Sequence, residues 1–180
     1  MVNRRFFLSS AGLTILGACS GAKSETTETE IIATVSEENT VAKPDPKGIP
    51  DYDKWQLSDK EWKERLSPEA FAVLRKEATE RPWTSPLNDE KRDGVYACAG
   101  CGLDLFTSDK KFDSGTGWPS FFDYIEGSLG TKRDFKLIIP RTEYHCARCG
   151  GHQGHVFEDG PAPTGLRYCN NGVALTFKPT

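Results

Sequence analysis

Cys98-Ala-Gly-Cys101-Gly102 and, further on, Cys146-Ala-Arg-Cys149-Gly150-Gly151-His152-Gln153-Gly154-His155 are the stretches whose reading decides the fold. Each C-x-x-C pair can present two thiolates to one cation at about 2.3 Å, and two pairs close a tetrahedral shell. Such a shell has no open position, so it clamps structure rather than performing chemistry. Gly100, Gly102 and Gly150 suit tight knuckles beside the ligands. Three rival readings stand beside this one. Cys146, Cys149, His152 and His155 form an evenly spaced set that could bind metal alone, though it strands Cys98 and Cys101 and its last gaps are short. Two disulfides would suit an exported chain. A redox-active C-x-x-C usually sits in a βαβ setting, which is missing here. The four-cysteine set, holding zinc, is the expectation carried forward.

Outward from these pairs, short β-type runs recur at Val95–Ala97, Leu103–Phe106, Phe135–Ile139, His155–Phe157, Leu166–Cys169 and Val173–Phe177. Asp93-Gly94, Ser114-Gly115, Glu126-Gly127 and Asn171-Gly172 separate them as turn signals. Two helices precede them. Ser58 caps the first, with Glu61 completing a capping box and Leu57 and Trp62 a hydrophobic staple. Ser67 and Pro68 start the second, which is expected to reach about Thr79 with Phe71 and Leu74 on its core face. The expected class is mainly β (α+β), antiparallel, with N-terminal helices. No βαβ alternation, G-x-G-x-x-G or phosphate-binding loop is present, which argues against nucleotide folds.

Residues 1–18 read as a targeting segment. Arg4-Arg5 followed by Phe7-Leu8 resembles a twin-arginine export signal, and Leu16-Gly17-Ala18-Cys19 resembles a bacterial lipobox, with Cys19 the lipidated residue. Residues 19–50 are rich in Thr, Glu, Lys and Pro and carry no aromatic residue, so they read as a disordered tether. Residues 51–180 suit one compact domain. The expectation is an exported, periplasm-facing lipoprotein anchored to a membrane by lipid. The 180 residues carry 23 Lys+Arg against 26 Asp+Glu, a net charge of −3. That balance offers no basic excess for nucleic acid.

With four cysteines assigned to metal and Cys19 to lipid, Cys169 is left. The bland reading of a lone cysteine is a small buried hydrophobe. Its neighbours argue otherwise: at period two, Arg167, Cys169 and Asn171 share one face. A guanidinium beside a thiol favours the thiolate and lowers its pKa. His152 and His155 are the candidate proton donors, unless they are structural histidines; His145 looks less well placed.

These residues together resemble the methionine sulfoxide reductase B family. The match is carried by Cys98–Cys101, Phe112-Asp-Ser-Gly-Thr-Gly-Trp118-Pro-Ser-Phe121, His152-Gln-Gly-His155-Val-Phe157 and Arg167-Tyr-Cys169 with Asn171, over about residues 55–177. The resemblance implies two antiparallel sheets with helices on the N-terminal side. It implies one structural zinc on Cys98, Cys101, Cys146 and Cys149. The implied activity is reduction of methionine (R)-sulfoxide, free or in oxidised proteins. In it Cys169 attacks the sulfur and becomes a sulfenic acid. His155, aided by His152, supplies the proton, while Asn171 and Arg167 order the oxygen and the thiolate. Trp118 and Phe157 bind substrate, and Asp159 is a candidate partner for Arg167 or a histidine. Many family members carry a resolving cysteine where this chain has Thr116, so the expected reductant is an external thiol such as thioredoxin. Gln153 stands where Leu is common and Trp83 where Phe is common.

Overall fold

The computed structural model describes residues 48–136 and 140–180. The expected signal segment, Cys19 and nearly all of the expected tether lie outside them.

The helices begin where their caps place them. Ser58 Oγ accepts the Glu61 N–H, and the Glu61 carboxylate accepts the Ser58 N–H at 2.8 Å, starting α1 (Asp59–Arg65). That helix buries Trp62. Ser67 Oγ accepts the Ala70 N–H at 3.1 Å and starts α2 (Pro68–Lys76), which buries Phe71, Val73 and Leu74. α2 stops short of the expected Thr79. Glu77 turns left-handed (φ 55°), and its carboxylate is taken by Lys132, at 2.5 Å, and by Lys136.

Two antiparallel sheets follow. β1 (Gly94–Cys98) lies between β2 (Asp104–Thr107) and β9 (Leu175–Pro179). The larger sheet runs β3-β4-β8-β7-β6-β5, from β3 (Lys111–Phe112), β4 (Ser120–Phe121), β5 (Leu129–Asp134), β6 (Arg141–Cys146), β7 (His152–Phe157) and β8 (Arg167–Asn170). Aromatic rings join the sheets: Phe106 stacks on Phe121 at 4.2 Å between centroids, and Tyr96 meets the same ring edge-on at 5.0 Å. Tyr144 and Tyr168 meet at 5.3 Å and extend the cluster. These five rings are all at most 4% exposed, and burial of that kind is the main apolar contribution of the core.

The mainly β class and N-terminal helices are as expected, but several strands differ. The run at Phe135–Ile139 is not a strand where it is described. Asp134 Oδ1 takes the Lys136 N–H at 2.9 Å, a local turn that ends β5, and Phe135 stands 71% exposed. β5 and β6 carry Lys132, Arg133, Arg141 and Glu143, and this charge hid them. β5 is a sheet edge, where charge is favoured because it blocks further pairing. β9 begins at Leu175 rather than Val173, because Gly172–Ala174 form a 3-10 turn closed by Ala174 N–H to Asn171 O at 3.0 Å.

One irregularity positions the site. Tyr144 pairs with Gly154, but His145 pairs with His152, so β7 carries one extra residue, Gln153. A bulge of this kind shifts the two-residue phase of a strand. His152 and His155, three apart and so on opposite faces of a regular strand, are brought ring to ring at 5.4 Å.

Candidate active site and metal cluster

The four cysteines of the two knuckles meet. Cys98 Sγ and Cys149 Sγ are 3.7 Å apart, Cys101 Sγ and Cys146 Sγ 3.5 Å, and all four sulfurs lie within 4.8 Å of one another. A tetrahedron with ~2.3 Å metal–sulfur bonds has edges of about 3.8 Å, so the set fits one metal ion. A disulfide needs about 2.05 Å, so none joins them here. Each knuckle closes on a left-handed glycine, Gly102 (φ 74°) and Gly150 (φ 67°), whose N–H reaches back to Cys98 O and Cys146 O. Gly100 needs no such angle. The thiols shift in opposite directions: Cys98 and Cys146 are pushed well up and Cys101 well down by hydrogen bonds among the four sulfurs. Sulfurs sharing protons in this way cannot all ionise without a cation to offset their charge. The histidine-containing alternative fails, because Cys146 and Cys149 close with Cys98 and Cys101 and neither histidine joins that group. His152 Nδ1 is instead bound to Glu143 Oε1 and His155 Nε2 to Asp134 Oδ2, each at 2.7 Å.

Cys169 lies elsewhere, on β8, between Ser120 of β4 and His155 of β7 in the strand register. It lines a cleft of about 180 Å³ with Trp118, Arg141, His155, Phe157 and Asn171. Trp118 reaches the cleft from the turn before β4, where its Nε1–H donates to Glu80 O at 2.9 Å. Arg167 follows the period-two expectation. Its guanidinium grips Asp159 by two 2.8 Å bonds and lies 4.4 Å over the Phe157 ring. Of the two partners expected for Asp159, the arginine is the one it takes.

The electrostatics of Cys169 differ from expectation. Burial pushes the thiol up; Arg167 and a hydrogen bond from Thr116 pull it down without cancelling that rise, so it ends above an ordinary cysteine. The histidine pair is supported from the sheet edge. Burial drives His155 below its usual range against the opposing pull of Asp134. Asp134 is held low by the Lys136 N–H, by His155 and by Arg141, whose Nη2 lies 2.7 Å from Oδ2. His152 is 2% exposed and uses Nδ1 on Glu143, while Nε2 is buried with no partner. Burial raises the Glu143 carboxyl, and the His152 bond and Lys132, 3.0 Å away, outweigh it.

Asn171 lines the cleft but has commitments: Nδ2 donates to Gln153 O and Oδ1 accepts the Glu80 N–H, both at 2.9 Å. Its amide braces the walls as well as facing the cavity. His145, expected to stand apart, is bound neither to the cluster nor into the cleft lining. Sequence reading missed Glu80, Asp134, Arg141 and Glu143. Each reaches the site across strands or from a connecting segment, and nothing in local spacing marks them. Gln153, fully buried, donates to Cys98 Sγ at 3.4 Å, so one strand serves both the cysteine cluster and the cleft.

A SelR domain model matches residues 66–179. A peptide methionine sulfoxide reductase MsrB of Methanosarcina barkeri is 56% identical over 124 residues, 68% of this chain and 87% of the relative. One of Bradyrhizobium diazoefficiens is 51% identical over 137 residues, 76% of this chain and 99% of the relative. Among solved structures, the Mis18 "Yippee-like" domain overlaps 49% of this chain and 98% of its own at a TM-score of 0.38 and 19% identity.

Proposed function

We propose, for a chain that belongs to the SelR-domain family of peptide methionine sulfoxide reductases, that Cys169 is the nucleophile reducing methionine (R)-sulfoxide in proteins and as the free amino acid. The carrying observation is the one thiol outside the metal cluster among the described residues, set beside His155 in a cleft walled by Trp118. At about 180 Å³ that cleft is smaller than the ~300–1,000 Å³ of ordinary ligand pockets and suits one side chain.

The Cys169 thiolate attacks the sulfoxide sulfur. The sulfur–oxygen bond of the substrate breaks, the oxygen passes to Cys169, and methionine leaves. Methionine sulfur gains the two electrons that Cys169 loses in becoming a sulfenic acid. The oxygen needs a proton as its negative charge develops. With Nε2 tied to Asp134, His155 has Nδ1 left to take the proton of the Cys169 thiol and pass it to that oxygen, and His152, fixed by Glu143, backs its ring. Trp118 and Phe157 form an apolar, sulfur-tolerant wall for the methyl group. Arg167, oriented by Asp159, favours the thiolate, and Asn171 keeps the walls registered around the oxygen.

Two external thiols then restore Cys169. The first displaces the hydroxyl as water and forms a mixed disulfide; the second releases the thiol as an external disulfide. A thioredoxin-like donor suits this step. Thr116 faces Cys169 where a resolving cysteine stands in many family members, and the other described cysteines belong to the cluster. Zinc suits a closed set of four thiolates, which leaves no position for substrate. Cys98, Cys101, Cys146 and Cys149 would hold it. The reading of Arg4-Arg5 and Cys19 as export and lipid signals makes this a periplasm-facing, lipid-anchored repair enzyme.

The test is turnover of resolved methionine sulfoxide epimers with a thiol reductant, beside Cys169→Ser. Consumption of the R epimer alone, abolished in the variant, is expected. Equal rates for variant and wild type would remove Cys169 from the reaction.

A further inference from the structure

Two large apolar side chains stand exposed among the described residues, Phe135 at 71% and Trp83 at 67%. Phe135 lies on the turn after β5. Trp83 packs against Gly117, the residue before the cleft-lining Trp118, and is held in a conformation its side chain disfavours. Its φ is +65°, a left-handed backbone that a bulky residue adopts only at a cost of roughly 1–3 kcal/mol. Such strain persists where the surroundings over-determine it, and here they do. The Trp83 N–H donates to Gly117 O at 2.7 Å, and Asn88 Nδ2 donates to the same oxygen at 3.0 Å.

Gly117 is the seat of the indole. A Cβ there would meet Trp83 ring atoms at 2.8 and 2.9 Å and Pro82 Cβ at 2.9 Å. The next residue is Trp118, whose own indole is anchored by Glu80 O. The segment 80–83 and the Gly117-Trp118 pair thus bracket each other at two points. One tryptophan is a wall of the cleft; the other stands on the same bracket, facing solvent. An indole left exposed recovers little of the apolar burial that ordinarily offsets such strain, which is what a surface awaiting a partner shows.

We propose that Trp83 is a docking platform for the polypeptide that carries the oxidised methionine, taking an apolar or aromatic side chain next to that residue. The occupant follows from continuity with the cleft. A methionine sulfoxide side chain resting on Trp118 carries its flanking residues out over the adjoining bracket, and Trp83 is the apolar surface found there. Free methionine sulfoxide has no flanking residues and gains nothing from it. This rests on the reductase reading above and adds to it a preference among substrates.

The experiment uses the full chain and compares kcat/KM for free methionine (R)-sulfoxide with that for a short capped peptide bearing the same sulfoxide beside a phenylalanine. Trp83→Ala is expected to lower kcat/KM on the peptide about tenfold, mainly through KM, and to leave the free amino acid within twofold. Trp83→Phe is expected to restore most of the loss. An equal fall on both substrates would make Trp83 a brace for Trp118 and overturn the proposal, as would no fall on either. Sedimentation showing a dimer that Trp83→Ala dissociates would assign the face to a second copy and overturn it too. Absence of wild-type turnover on both substrates would instead sink the reductase reading, and the docking proposal with it.

Discussion

Cys169 sits where two influences oppose each other. Burial raises its thiol and Arg167 lowers it, and burial wins. The thiolate is therefore scarce at neutral pH in the free protein, and what exists depends on the guanidinium that Asp159 aims. Below a thiol's pKa, each further unit of upward shift lowers the thiolate fraction about tenfold. Arg167→Ala is expected to raise the midpoint of Cys169 alkylation by iodoacetamide and to slow that reaction several-fold at pH 7. Arg167→Lys, which keeps the charge, is expected to recover part of the rate. An unchanged midpoint in Arg167→Ala would show that the arginine serves only to pack on Phe157. At this scale the sequence was informative: the alternation of Arg167, Cys169 and Asn171 put charge and thiol on one face. It could not show that burial outweighs the charge, because burial is set by strands far away in the chain.

Between elements, β7 is the organiser. Its extra residue, Gln153, turns His152 and His155 to the same side, and its neighbour Gly154 lets β8 come close. A Cβ at Gly154 would lie 1.8 Å from Cys169 O, a backbone atom that cannot turn away. Gly154→Ala therefore has to push β7 and β8 apart. Overpacking of this kind costs about 1–3 kcal/mol, so thermal unfolding should fall by at least about 5 °C. Activity should fall as well, because the spacing of Cys169 from His155 changes. An unaltered melting temperature would mean that the close approach of the strands does not constrain the site. The histidines were visible in the sequence as His152-Gln-Gly-His155. Their meeting was not, because the bulge is a matter of pairing with β6 and leaves no mark on β7 alone. Asp134 and Glu143 were hidden for the same reason: they lie on strands too charged to be recognised as strands.

For the whole molecule, the cysteine cluster ties distant segments. It joins the knuckle after β1 to that after β6, and Arg75 of α2 donates to Cys149 O at 2.8 Å while Arg148 donates to Cys101 O at 3.2 Å. The binding energy of a structural zinc, of order 10 kcal/mol or more, is comparable with the whole stability of an ordinary domain. One zinc per chain is expected by elemental analysis. Its removal by a chelator, or Cys101→Ser, is expected to abolish cooperative thermal unfolding. A metal-free protein with an unchanged melting temperature would refute the clamp. Local chemistry carried the caps at Ser58 and Ser67, the two C-x-x-C pairs, the leftover thiol and the motif order that marks the family, because each depends on residues a few positions apart. Only the tertiary structure decided the bulge that unites the histidines, the carboxylates behind them, the strained indole beside Gly117 and the net upward shift of Cys169. Those depend on strand register and burial, which are properties of segments remote in the chain brought together by folding.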